Sequence, residues 1–92
     1  MPQTLQLLTY DYVADILVRR EEHRAGHLGL IEAMSREGVM VMAGAVGDPV
    51  DGGAFVLRDT AAVERFLAED PYVAAGLVVA HAVTPWTVVT PL

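Results

Sequence analysis

The chain of 92 residues contains no cysteine and no lysine. Without cysteine there is no disulfide framework, no thiolate nucleophile and no thiolate metal ligand. Without lysine there is no phosphate-binding lysine of the P-loop type. All six basic side chains are arginines, against twelve acids, for a net charge of −6. That balance argues against nucleic acid as a partner, because phosphate binding rests on clustered basic residues. No apolar run approaches the roughly 20 residues of a membrane-spanning helix. The start, MPQTLQLLTY, lacks a basic region and a clear cleavage site, so no secretory signal is read there. A cytoplasmic setting is expected, with no membrane partner.

Hydrophobic residues make up 53% of the sequence, a large share for one small domain, which is expected to span residues 1–92. A chain this short has a thin core. The surplus of apolar side chains therefore points to another copy of the chain as their cover.

The periodicities give an order of elements. Gln3 to Tyr10 alternates loosely and predicts a strand. Asp15 to Glu37 follows a helical period, with Leu17, Leu28 and Ile31 on one stripe and Arg20, Arg24 and His27 near it; Gly38 ends that helix. Val39 to Ala45 is a second strand. "GDPVDGG", residues 47–53, is dense in turn formers, and Ala54 to Leu57 is a third strand. Asp59 or Thr60 can cap a helix reaching Glu69, with Val63, Phe66 and Leu67 on its apolar face. Leu77 to Val83, continuing towards Val89, is the last strand. The order β-α-β-β-α-β predicts an α+β fold: a ferredoxin-like antiparallel sheet with both helices on one face. Both alternating sets of Val39–Ala43 and Ala54–Leu57, and of Val78–Val83 but for His81, are apolar, whereas a sheet with one wet face should alternate. The face without helices is therefore expected to pack on a second copy as a two-fold homodimer.

Few residues carry chemistry. In "EDPYVAAGL", residues 69–77, Asp70 and Pro71 have the N-cap and first-turn identities of a short helix that Gly76 would stop. His27 is the natural acid or base near neutrality. Arg24, one turn before it, can hold a carboxylate, phosphate or phenolate, or simply pair with Glu21 or Asp70. His23 and His27 have an i, i+4 metal spacing, but no third ligand accompanies them, so no metal is expected; no P-loop or dinucleotide fingerprint appears, and no cofactor is expected. His81 reads as a hydrogen-bonded core or interface histidine. The glycines of "AGAVGDPVDGG" lack the Lys-Ser/Thr of a P-loop and suit a hairpin, where backbone can approach a ligand closely.

In combination these residues resemble the YciI-like, or YCII-related, family of small bacterial proteins. The resemblance rests on Arg24-x-x-His27-Leu28, Glu37-Gly38, Ala43-Gly44, Asp70-Pro71-Tyr72 with Val73-Ala74-Ala75-Gly76, and Pro85-Trp86 after the last strand. It runs in order over nearly the whole chain. It implies a dimeric ferredoxin-like fold of the dimeric α/β-barrel type and a histidine–aspartate site in a cleft, which makes His27 and Asp70 the catalytic pair to test. Arg24, Tyr72 and Gly44 are the expected substrate-binding residues. A few relatives act on small aromatic ring compounds, for instance in dehalogenation. This chain departs from the family at the cleft rim, with Gly44-Ala45 where Gly-Pro is common and a shorter hairpin after it. The resulting expectation is acid–base chemistry of lyase or isomerase type on a small acidic or phenolic compound. The alternative is a dimeric ligand-binding or interaction module that turns nothing over.

Overall fold

A computed structural model of the protein describes residues 2–92. The elements are β1 (Gln3–Tyr12), α1 (Ile16–Arg19), α2 (Arg24–Arg36), β2 (Met40–Val46), β3 (Gly52–Leu57), α3 (Thr60–Glu69), α4 (Pro71–Ala74) and β4 (Val78–Val88). The strands form one antiparallel sheet in the order β2-β3-β1-β4. This is the ferredoxin-like arrangement that the order of periodicities predicts.

Alternation in β1 and β3 decides which face the helices cover. Leu8 stands opposite Phe55 and Gln6 opposite Leu57. Leu8, Tyr10, Phe55 and Leu57 thus share a face, and they are buried with Met34 of α2 and Ala62, Val63 and Phe66 of α3. Each of the Leu, Met, Val and Phe side chains contributes roughly 1.5–3 kcal/mol when fully buried. Asp59 caps α3 by accepting the Ala62 N–H at 2.8 Å. The opposite face carries a smaller cluster of Leu5, Val56 and Val88. Around it, Met42, Val46 and Trp86 are 55, 48 and 42% exposed.

Several expectations are corrected. The helix expected over 15–37 is two helices separated by a turn at residues 20–23. No glycine or proline marks the break; its reason is tertiary. Ile16 of α1 is buried against Tyr72 and Leu77, while α2 packs on β2 and α4. The buried residues of the two helices are Ile16, His27 and Met34, whereas Leu17 and Leu28 of the expected stripe are 44 and 46% exposed. Strand β1 runs on to Tyr12, whose N–H donates to Asp51 O at 2.9 Å. Pro85 and Trp86 lie within β4, not after it. A proline is tolerated there because β4 is an edge strand. That edge also extends past the helices, so β4 is largely exposed on both sides. His81, opposite Tyr10, is accordingly exposed and not a core residue.

Candidate functional site

The site is built around the junction of α3 and α4. Pro71 disfavours helical geometry for the residue before it, and Asp70 leaves the helix with φ −69° and ψ 118°. Its own N–H still donates to Phe66 O at 2.8 Å. Its side chain caps the next helix, with Oδ1 accepting the Tyr72 N–H at 3.1 Å. Gly76, at φ 73°, provides the left-handed turn that follows α4.

The capping carboxylate is only 1% exposed. Two further donors reach it from distant elements. Tyr10 of β1 donates its hydroxyl to Oδ2 at 2.8 Å, and His27 of α2 places Nδ1 2.7 Å from Oδ1. A carboxylate is an acceptor only, so Nδ1 carries the proton of this bond. Nε2 remains as the nitrogen free to accept or give a proton, and it has no protein partner among the described residues. The imidazole lies flat on the Tyr72 ring, with centroids 3.7 Å apart and planes 2° from parallel. Phe55 and Phe66 meet it edge-on. Close approach of the helices makes this contact possible: a Cβ added to Gly26 would lie 3.1 Å from Pro71 Cγ.

His27 opens onto a cleft of about 260 Å³. Tyr12, Phe55 and Tyr72 form its aromatic side, and Leu28 and Ile31 of α2 add aliphatic surface. Ala43, Gly44 and Ala45 of β2 line it with small residues, and nothing stands within 4 Å of where a Gly44 side chain would begin. Arg20 and Arg24 are its two cationic members. Burial pushes the Tyr10 and Tyr12 phenols well above their ordinary range, and the Asp70 charge adds to the effect. Burial also raises Tyr72, against the opposing pull of Arg20 and Arg24. The phenols facing the cleft are therefore neutral hydrogen-bond donors at neutral pH.

Of the residues singled out from sequence, His27, Arg24, Tyr72 and Gly44 all line the cleft. Asp70 does not line it; its carboxylate reaches the cleft only through the imidazole it holds. Arg24 forms no ion pair with Glu21 or Asp70. His23 ends up beside Glu22, with Nε2 3.6 Å from its Oε1. No group of three or more His, Cys, Asp or Glu among the described residues is placed to hold a metal, and no helix among them is long and apolar enough to cross a membrane. Sequence reasoning missed Tyr10, Tyr12 and Arg20 as members of the site. The first two stand two apart in a strand and so share its helix-covered face. Arg20 is four residues before Arg24, but the break between α1 and α2 removes the helical geometry that would have linked them.

No curated protein matches the chain. Among solved structures, it resembles 5-chloro-2-hydroxyhydroquinone dehydrochlorinase (TftG) from Burkholderia phenoliruptrix AC1100, in complex with 2,5-dihydroxybenzoquinone. The TM-score is 0.73, with 23% identity over 89% of this chain and 92% of that one. This is a likeness of fold. The YCII-related domain matches residues 5–87, nearly the full length, and the chain belongs to the YCII-related family.

Proposed function

We propose that the protein is a small-molecule enzyme performing lyase- or isomerase-type acid–base chemistry on a small acidic or phenolic compound. The observation that carries this reading is the imidazole fixed by a buried carboxylate, with its second nitrogen left for the cleft. His27 Nε2 accepts a proton from the substrate. The resulting imidazolium is stabilised by Asp70, which acts through the ring and does not touch substrate. In an isomerisation the proton returns to another atom of the substrate; in an elimination the electron pair of the broken C–H bond expels a leaving group. The neutral phenol of Tyr12 can donate to a substrate oxygen, and Tyr72 supplies a flat wall. The similar fold of a dehydrochlorinase that binds a quinone supports a ring compound as substrate.

We also propose that two copies pack through the open sheet face, as in the dimeric α/β barrels. The exposed Met42, Val46 and Trp86 favour this cover. Light scattering at micromolar concentration should then give twice 9.9 kDa or a multiple of it; a monomer rules the pairing out.

Proton abstraction can be read without knowing the natural substrate. A panel of hydroxylated aromatic acids and hydroquinones, including 5-chloro-2-hydroxyhydroquinone, is incubated with the protein in D2O. Carbon-bound protons that exchange, or a leaving group that is released, report catalysis. The exchange rate should fall about 10²- to 10⁴-fold in His27→Asn, which retains a donor towards Asp70 but no Nε2. Compounds that bind without exchange or turnover would instead establish the non-catalytic binding module.

A further inference from the structure

The six arginines divide sharply by location. Arg19 pairs with Asp15 at 3.7 Å and Arg36 with Glu32 at 3.1 Å. Arg65 is held by Glu37 and Glu69. Arg58 donates to Gly38 O at 3.1 Å and to Gln3 Oε1 at 2.9 Å. Arg20 and Arg24 alone make no ion pair and no side-chain hydrogen bond among the described residues, and both line the cleft. Arg20 Nε is, in addition, the one buried side-chain nitrogen or oxygen among the described residues without a partner.

Leaving two guanidiniums unanswered is unexpected in a chain with twice as many acids as bases. A buried donor without a partner costs roughly 1–3 kcal/mol, and surface carboxylates are plentiful. None of them lines the cleft. Asp70 is shielded behind the imidazole, and the charges of Arg20 and Arg24 act on the Tyr72 phenol more strongly than those of Asp70 and Glu21. The cleft is thus a cationic site with neutral phenols, an aromatic wall and room for about one ring. A guanidinium is suited to planar oxyanions, which it binds through two parallel hydrogen bonds.

We propose that Arg20 and Arg24 form a two-guanidinium receptor selecting a single-ring aromatic dianion, one with two ionised carboxylate or hydroxyl groups, and that Arg20 determines this specificity together with Arg24. The inference rests on the reading of this cleft as a small-molecule site, but not on any proton transfer at His27. One anionic group pairs with the Arg20 guanidinium; the second lies with Arg24. The ring between them packs against Tyr12, Phe55 and Tyr72, within reach of His27.

The test uses three single-ring probes of charge −2, −1 and 0: terephthalate, benzoate and benzamide. Binding to the full chain is measured by titration calorimetry and located by NMR shifts of the Tyr12 and Tyr72 rings. Terephthalate should bind best, benzamide worst, and the preference should weaken with salt. Arg20→Gln and Arg24→Gln should each weaken terephthalate roughly ten- to a hundredfold and benzoate less. The double variant should treat all three probes alike, with melting midpoints confirming that the variants are folded. Equal affinities in the wild type would overturn the proposal. So would an Arg20→Gln variant that keeps the dianion preference, shifts confined to the open sheet face, or a loss of oligomer size in place of affinity, which would assign the arginines to an interface. Because the readout is binding, charge selectivity can be present when the D2O exchange fails, or absent when it succeeds. The two readings therefore fail separately.

Discussion

Two hydrogen-bonded pairs in this protein, each with a carboxylate member, have the same separation and opposite surroundings. His27 Nδ1 and Asp70 Oδ1 are 2.7 Å apart, and so are Arg65 Nη1 and Glu37 Oε1. The first pair has side chains 7 and 0% exposed, the second 37 and 50%. Distance alone would rank them equal. Burial does not, because removing one member of a buried pair strands the other without solvent, whereas water replaces a lost partner at the surface. Asp70 also serves two more donors, so three elements of the fold depend on one carboxylate. Glu37 and Arg65 join two exposed side chains in a geometry that water could complete equally well.

The largest effect should follow Asp70→Ala. It leaves the Tyr10 hydroxyl and His27 Nδ1 without their acceptor and removes the cap of α4. The expected loss is about 3–5 kcal/mol, with a fall in melting midpoint of at least roughly 10 °C. Asp70→Asn should lose less than half as much, since Asn caps about as well as Asp and its amide can still bond both neighbours. It should nevertheless suppress D2O exchange, because it removes the negative charge that stabilises the imidazolium. Nitrogen chemical shifts of His27 should show Nδ1 protonated in the wild type and a mixture of tautomers in Asp70→Ala. If Asp70→Asn retained full exchange, the role of Asp70 would be structural alone.

Tyr10→Phe comes next and tests the other side of the same carboxylate. Losing one hydrogen bond to a charged acceptor should cost about 1.5–3 kcal/mol. Its pH signature is distinct. The folded-state Tyr10 phenol titrates above its ordinary 10.0, first through burial and then through Asp70. Its contribution is therefore complete below pH 10 and is lost as pH rises beyond it, by up to about 1.4 kcal/mol per pH unit. Tyr12 and Tyr72 are shifted in the same direction, so the variant should show a shallower alkaline decline, not a flat one. Urea midpoints from pH 8 to 11 measure it. Identical slopes in the two proteins would mean that Tyr10 is not the protected phenol.

What could be read beforehand follows the same division. The β-α-β-β-α-β order and the cap at Asp70 are local signals of period and residue type, and they were readable. His27 and Asp70 could be named together only through family resemblance, since nothing local says that residues 27 and 70 meet. Tyr10 reads only as a strand residue, because a phenol on an apolar face has no sequence mark for the carboxylate it will find. The break at residues 20–23 was invisible, since it is forced by the burial of Ile16 against Tyr72 and Leu77. The exposure of His81 depends on how far the helices extend over β4, which no strand pattern records.

The smallest effect belongs to the exposed pair. Arg65→Gln removes the contacts to Glu37 and Glu69, yet the melting midpoint at physiological salt should stay within error of the wild type, because exposed pairs are screened and their side chains must be ordered to form them. The hydrogen bond from Arg65 holds the Glu37 carboxyl below its ordinary 4.5. A depressed acid contributes stability above its unfolded value and loses it as pH falls through the folded one. A difference between Arg65→Gln and wild type should therefore emerge only at low ionic strength and neutral pH, then vanish as pH drops below 4.5. A substantial loss at high salt would show that geometry, and not burial, sets the worth of a 2.7 Å ion pair in this fold.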